Sequence, residues 1–170
     1  MKGKEIFLIV IILIAVVSVS GCINGTMDNV NDRMKNLNND ISEGDNDYNS
    51  AISSINSQDF ATGTSNIETA KEKFADAIEQ LSEIEQYKSK LNESVYTDYL
   101  DLVSEEVELK KEASDELYLA MQYYTNNDSS SGNSYATTAN SLMEKAVILQ
   151  EQRNQLVEDN SDLFKKAGII

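Results

Sequence analysis

Residues 60–91 read FATGTSNIETAKEKFADAIEQLSEIEQYKSKL, and the spacing within them decides the fold. Phe60, Ile67, Phe74 and Leu81 stand seven residues apart, with Gly63, Ala70, Ala77, Ile84 and Leu91 between them. Apolar or small residues at alternating steps of three and four lie along one narrow stripe of an α-helix, the seam of coiled-coil packing. A helix cannot bury such a stripe against itself, so the segment requires partner helices.

The partners lie on either side in the sequence. Met27, Met34, Ile41, Tyr48 and Ile55 repeat the spacing upstream, with Val30, Leu37, Gly44 and Ala51 between them. Tyr135, Leu142, Leu149, Leu156 and Leu163 repeat it downstream, interleaved with Ala139, Ala146, Arg153 and Asn160. That pattern expects Leu149 to be buried and its neighbour Gln150 to face the flank or solvent. Tyr96, Leu100, Val103 and Val107 form a looser stripe that Ala113, Leu117, Ala120 and Tyr124 resume slightly rotated, which suits a broader buried face. Gly44 stands mid-stripe, where the first helix could break. A turn near residues 57–59 would set Gly44 opposite Phe74, and small against large then explains the glycine in a continuous or mildly kinked helix.

Polar clusters mark the ends of these stripes. Asn56-Ser57-Gln58-Asp59 and Asn92-Glu93-Ser94 read as turns, with Asp59 a candidate N-cap. Residues 126–133 read as the clearest loop, with Asn133 or Ser134 capping the fourth helix. Lys165 and Lys166 precede Gly168 as a helix C-terminus. The expected fold is all-α: an antiparallel up-down-up-down four-helix bundle over residues 27–167, with helices at about 27–57, 59–91, 94–125 and 133–167.

Composition excludes much chemistry. The 170 residues contain no histidine, no proline and one cysteine. Without histidine, Ser–His and Cys–His nucleophilic pairs, His-bearing zinc sites and the Glu-x-x-His di-iron pattern are ruled out. No pair stands out among the acidic residues as a carboxylate acid–base couple, so no enzyme and no cofactor is expected. The totals are 14 basic and 29 acidic residues; without Lys2, Lys4 and Glu5 they become 12 and 28, a formal charge of −16. Such a surface repels phosphates, which argues against nucleic acid.

The N-terminus supplies an address. Lys2 and Lys4 precede the apolar run from Ile6 to Val19, and Ser20-Gly21 lead to Cys22. A charged start, a short apolar core and small residues before a cleavage point describe a signal peptide. Val19-Ser20-Gly21-Cys22 resembles the lipobox of prokaryotic lipoproteins, which implies cleavage before Cys22 and lipid on its sulfur. The expectation is a signal peptide at residues 1–21, a lipidated tether at 22–26, and a cell-membrane location facing the exterior. Two other readings remain open: an uncleaved anchor, since Ile6 to Ile23 nearly reaches spanning length, and an ordinary small apolar cysteine.

Other motifs are weaker. Asp45-Asn46-Asp47-Tyr48-Asn49 alternates oxygen donors as a calcium loop does, but Ser50 and Asn56 fall where that loop needs glycine and glutamate. Ser57-Gln58-Asp59-Phe60 and Ala70, Phe74 and Ala77 look like tetratricopeptide fragments that share no common frame of about 34 residues. Asn24, Asn92 and Asn127 head Asn-x-Ser/Thr triplets, as many as chance gives, and are candidate N-glycosylation sites. Tyr118, Tyr123, Tyr124 and Tyr135 gather at the bundle end opposite the lipid; the first reading is a cap whose hydroxyls reach water, and a recognition surface, if the chain has one, is expected there. Arg153 should pair with Glu105 or Glu106 and fix register. By elimination the chain reads as a non-enzymatic structural or protein-interaction module, its partners the membrane and an envelope protein. The alternative is an accessory protein holding a small ligand or cations on its acidic surface or inside the bundle.

Overall fold

The computed structural model describes residues 24–91 and 93–167. They form four long helices, α1 (Asn24–Asn56), α2 (Phe60–Glu85), α3 (Ser94–Thr125) and α4 (Ser129–Asp159), followed by a short α5 (Ser161–Ala167). The architecture is an all-α four-helix bundle, with no strand among the described residues. Close approaches are densest within the hairpins α1/α2 and α3/α4; α2 against α3 joins them, while α1 meets α3 only narrowly. Successive helices run antiparallel: Gly44 faces Phe74, Lys71 pairs with Asp115, and Tyr123 stacks on Tyr135.

The seam spacing explains α1 and α2. Val30, Met34, Leu37, Ile41, Gly44, Tyr48 and Ala51 are all buried, and so are Gly63, Ile67, Ala70, Phe74, Ala77, Leu81 and Ile84. A Cβ on Gly44 would sit 2.7 Å from Cε1 of the fully buried Phe74, so α1 runs unbroken and the glycine makes room for the ring.

The boundaries differ from the sequence expectation in four places. Residues 24–26, expected as tether, already belong to α1. α2 stops at Glu85; Tyr87 N–H then bonds back to the Ile84 carbonyl, and a 3-10 turn (Lys88–Lys90) tightens the exit. The expected loop at 126–133 shrinks to three residues. Asp128, rather than Asn133 or Ser134, caps α4 by accepting the Ser131 N–H at 3.1 Å, which draws the serines into the first helical turn. The fourth helix ends at Asn160, whose side-chain amide donates to the Leu156 carbonyl, and α5 turns away to bury Phe164 rather than Leu163.

A regularity in the coordinates relates the two hairpins. Val30, Met34, Leu37, Ile41, Gly44, Tyr48 and Ala51 correspond to Tyr99, Val103, Glu106, Lys110, Ala113, Leu117 and Ala120, each 69 residues later and each buried. The same offset takes Gly63, Ala70, Ala77, Leu81 and Ile84 to Gly132, Ala139, Ala146, Gln150 and Arg153, again all buried. It also superposes the turns. Gln58 and Asn127 have φ of 61° and 60°, and the next residue, Asp59 or Asp128, caps the following helix. The match is incomplete, since the buried Ile67 and Phe74 fall on the half-buried Ala136 and Met143, but the two hairpins share one frame of small residues and turns.

Candidate functional site

Cys22 and Asn92 lie outside the described residues. Asn24 is the first residue of α1. Asn127 is exposed at the left-handed position of the α3/α4 turn. Of these candidate modification sites, Asn127 is the one whose surface-turn setting falls among the described residues.

The most unusual chemistry is in the interior. Lys110 is 1% exposed, and its Nζ lies 2.7 Å from Oδ2 of Asp45 on α1 and 3.0 Å from Oε1 of Glu106 one turn back on α3. Glu106 is fully buried, and its Oε2 lies 3.0 Å from Nε of Arg153 on α4. Two acids and two bases thus form one chain across three helices, with Gln150 and Ser114 buried on the same helices. The Glu106 contacts are close but poorly aligned, so both its oxygens lack a geometrically sound hydrogen bond. Burial raises the Asp45 pKa, and the neighbouring Lys110 ammonium opposes that rise without cancelling it. Burial alone pushes the Tyr48 hydroxyl up, and its oxygen has no hydrogen-bond partner.

The arrangement is closed on itself. Every charge faces an opposite charge, and the bundle axis on either side is filled by fully buried side chains such as Phe74, Ile67, Val107, Leu117 and Met121. Sequence reasoning paired Arg153 with Glu106 but missed Lys110 and Asp45. Lys110 stands among the polar residues of α3, and Asp45 belonged to the calcium-like run. The signal that finds Lys110 is the 69-residue offset, which sets it at the height of Ile41 and Glu106 at that of Leu37, whereas Asp45 falls opposite Ser114 and has no such signal.

Apart from the interior Tyr48 and Phe74, the described aromatic residues collect at the two ends. At the end carrying the α1/α2 and α3/α4 turns, Phe60 stacks on Tyr124 with centroids 5.3 Å apart, and Tyr123 stacks on Tyr135 at 5.2 Å. The Tyr124 hydroxyl donates to Oδ1 of Asn133, and Lys71 sits over the Tyr118 ring. All four tyrosines there are half-buried, presenting part of their surface to solvent. At the other end Tyr96 and Tyr99 close around Phe164, and the Tyr96 hydroxyl donates to the Leu163 carbonyl at 2.8 Å.

The fourth stripe corrects the sequence reading. Leu149 is half-buried and Gln150 is buried, because the buried positions of α4 step 139, 142, 146, 150 and 153. The two consecutive steps of four rotate the inward face away from Leu149. Leu156 is half-buried against the core and also lines, with Leu102, an open depression of about 550 Å³ between α3 and α4, beside Asp98, Asp101, Glu105 and Asp159.

Among the described residues no group of His, Cys, Asp and Glu is placed to hold a metal ion, and Asp45 of the calcium-like run points inward to Lys110. No described helix is long and apolar enough to cross a membrane. Comparison of the chain with protein-family models, curated proteins and solved structures finds no match.

Proposed function

We propose that the chain is an extracytoplasmic lipoprotein, held at the cell membrane through a lipid on Cys22, whose bundle acts as a non-enzymatic structural or protein-interaction module. The observation that carries the reading is Val19-Ser20-Gly21-Cys22, placed directly after a basic start and a short apolar run. Two lipid chains would give stable anchoring, where one would be marginal. α1 includes Asn24, two residues after Cys22 in the sequence, so the bundle would stand close to the bilayer. The exposed tyrosine end would then point away from it.

The filled bundle axis supports contact through the surface over storage of a ligand inside. Half-exposed tyrosines combine apolar area with a polar tip, the composition enriched where proteins recognise one another. The anchor is tested by intact mass of membrane-extracted protein. Loss of residues 1–21 with added lipid is expected, and Cys22→Ser should retain the leader and carry no lipid. An unmodified Cys22 on an uncleaved chain would overturn the lipid reading in favour of an N-terminal anchor.

A further inference from the structure

We propose that the outer groove between α3 and α4 docks a basic amphipathic helix of a partner protein. The inference rests on the interaction-module reading and gives that module a surface and a partner chemistry. The groove has an apolar floor, Leu102 and Leu156, and a rim of four carboxylates, Asp98, Asp101, Glu105 and Asp159, with no Lys or Arg in its lining. Asp101 is paired with Lys88, whereas Asp98 and Glu105 make no ion pair among the described residues.

The first hairpin shows what the same place looks like when the chain covers it. Sixty-nine residues earlier, Leu102 corresponds to Arg33 and Gln152 to Glu83, and Arg33 and Glu83 form an ion pair between α1 and α2. That pair bridges the first groove with the chain's own cation. In the second hairpin the bridge is replaced by leucine and glutamine; Lys88 reaches Asp101 on the rim, and Asp98, Glu105 and the leucine floor are left open to a partner's cations and apolar side chains.

The apolar strip also runs on beyond the floor. Leu149 precedes Leu156 by seven residues and so shares its face, and Ile148, four before Gln152, is 53% exposed. A third helix laid along the strip would meet rows at three and four spacing on both α3 and α4, the arrangement by which grooves take amphipathic helices. Its leucines would cover the strip, and its Arg or Lys flanks would reach Asp98 and Glu105. A second copy of this chain would bring carboxylates against carboxylates, given its 29 acidic and 14 basic residues. An anionic lipid surface would meet the same repulsion.

The test uses the full chain in phosphatidylcholine vesicles, with binding to empty vesicles subtracted. The probe is a labelled helical peptide of about 20 residues carrying leucines on one face and arginines on its flanks. Saturable one-to-one binding is expected. The pair Asp98→Lys and Glu105→Lys should weaken it about tenfold or more, while Glu68→Lys and Glu72→Lys, an equal charge change on exposed positions of α2, should weaken it less than about threefold. Circular dichroism melts show whether each variant is folded. Equal losses in the two pairs, equal binding of a scrambled peptide of the same charge, or absence of saturable binding would each overturn the proposal. So would concentration-dependent self-association abolished by the groove pair, which would assign the strip to a second copy. None of these outcomes bears on Cys22, whose mass test stands apart.

Discussion

At matched heights the first hairpin buries Leu37, Ile41, Leu81 and Ile84, and the second buries Glu106, Lys110, Gln150 and Arg153. The backbone frame is shared, down to the left-handed turn residue, the aspartate cap and the glycine four residues later. The first set is held by removing apolar surface from water. The second must give up the hydration of four charged or polar groups, and mutual pairing offsets that cost without a clear surplus. The difference teaches that small residues at the crossings, Gly44, Ala51, Gly63, Ala70 and their counterparts, set the hairpin geometry. What fills the remaining heights can then be apolar or ionic. The ionic set adds direction: Lys110 ties α3 to Asp45 of α1, and Arg153 ties α4 to α3, so register across three helices is tied to charge.

The largest expected effect breaks the second hairpin at its centre. Glu106→Ala would leave Lys110 and Arg153 facing each other without their shared acid, and should cost about 3–5 kcal/mol in denaturant melts. Glu105→Ala, one residue away and exposed, should stay within about 0.5 kcal/mol. The converse change sharpens the comparison. Installing the first hairpin's residues (Glu106→Leu, Lys110→Ile, Gln150→Leu and Arg153→Ile) together with Asp45→Ala should be neutral or stabilising by about 1–4 kcal/mol. Collapse of the fold in that five-fold variant would show that the two hairpins do not share one frame.

The first hairpin was almost wholly legible in the sequence, and the reason is physical. When two helices pack closely over a regular seam, the buried positions keep the alternating three and four spacing, and Gly44 against Phe74 follows from the register of a short turn. The second hairpin was legible only in outline. Its face on α3 is broad and includes Glu106, Lys110 and Ser114, which no apolar periodicity can reveal. The inward face of α4 rotates after Ala146, so a strict seven-residue reading selects Leu149 where the structure buries Gln150. The serine run before Gly132 looks like loop because its helical role depends on the Asp128 cap. Sequence reasoning dismissed a peptide-repeat frame, yet Asp59 and Asp128, Gly63 and Gly132, Ala70 and Ala139, and Ala77 and Ala146 are identical at one offset. That repeat was readable, and longer than the period sought.

A smaller contrast tests the rotation of α4. Leu142 is buried and Leu149 half-buried on the same helix. Leu142→Ala should cost about 2–5 kcal/mol, and Leu149→Ala roughly 1 kcal/mol because much of its side chain already meets water. Denaturant melts of the two variants compare them directly. Equal costs would mean that α4 keeps a strict seven-residue face, and the groove proposed beside Leu156 would lose its apolar extension.

The smallest expected effect concerns the two matched turns. Asp59 accepts the Thr62 N–H at 3.2 Å, while Asp128 accepts both the Ser131 N–H at 3.1 Å and the Ser131 hydroxyl at 2.7 Å. Hydrogen bonds from Thr62 and Ser131 lower the pKa of the respective carboxyl groups in the folded chain. A carboxyl with a depressed folded pKa contributes stability that is present above its unfolded value and lost as pH falls through the folded one. Replacing Asp128 or Asp59 with alanine should therefore lower stability at neutral pH. Both gaps from the unsubstituted chain should hold down to about pH 5, begin to narrow near the unfolded value of about 4, and close as pH falls through the depressed folded value. Asp128→Asn keeps an acceptor that does not titrate, so its difference from Asp128→Ala should persist in acid. Melts across that range decide the matter: an Asp128→Ala gap unchanged at about pH 2 would show that the cap acts by shape and not by charge.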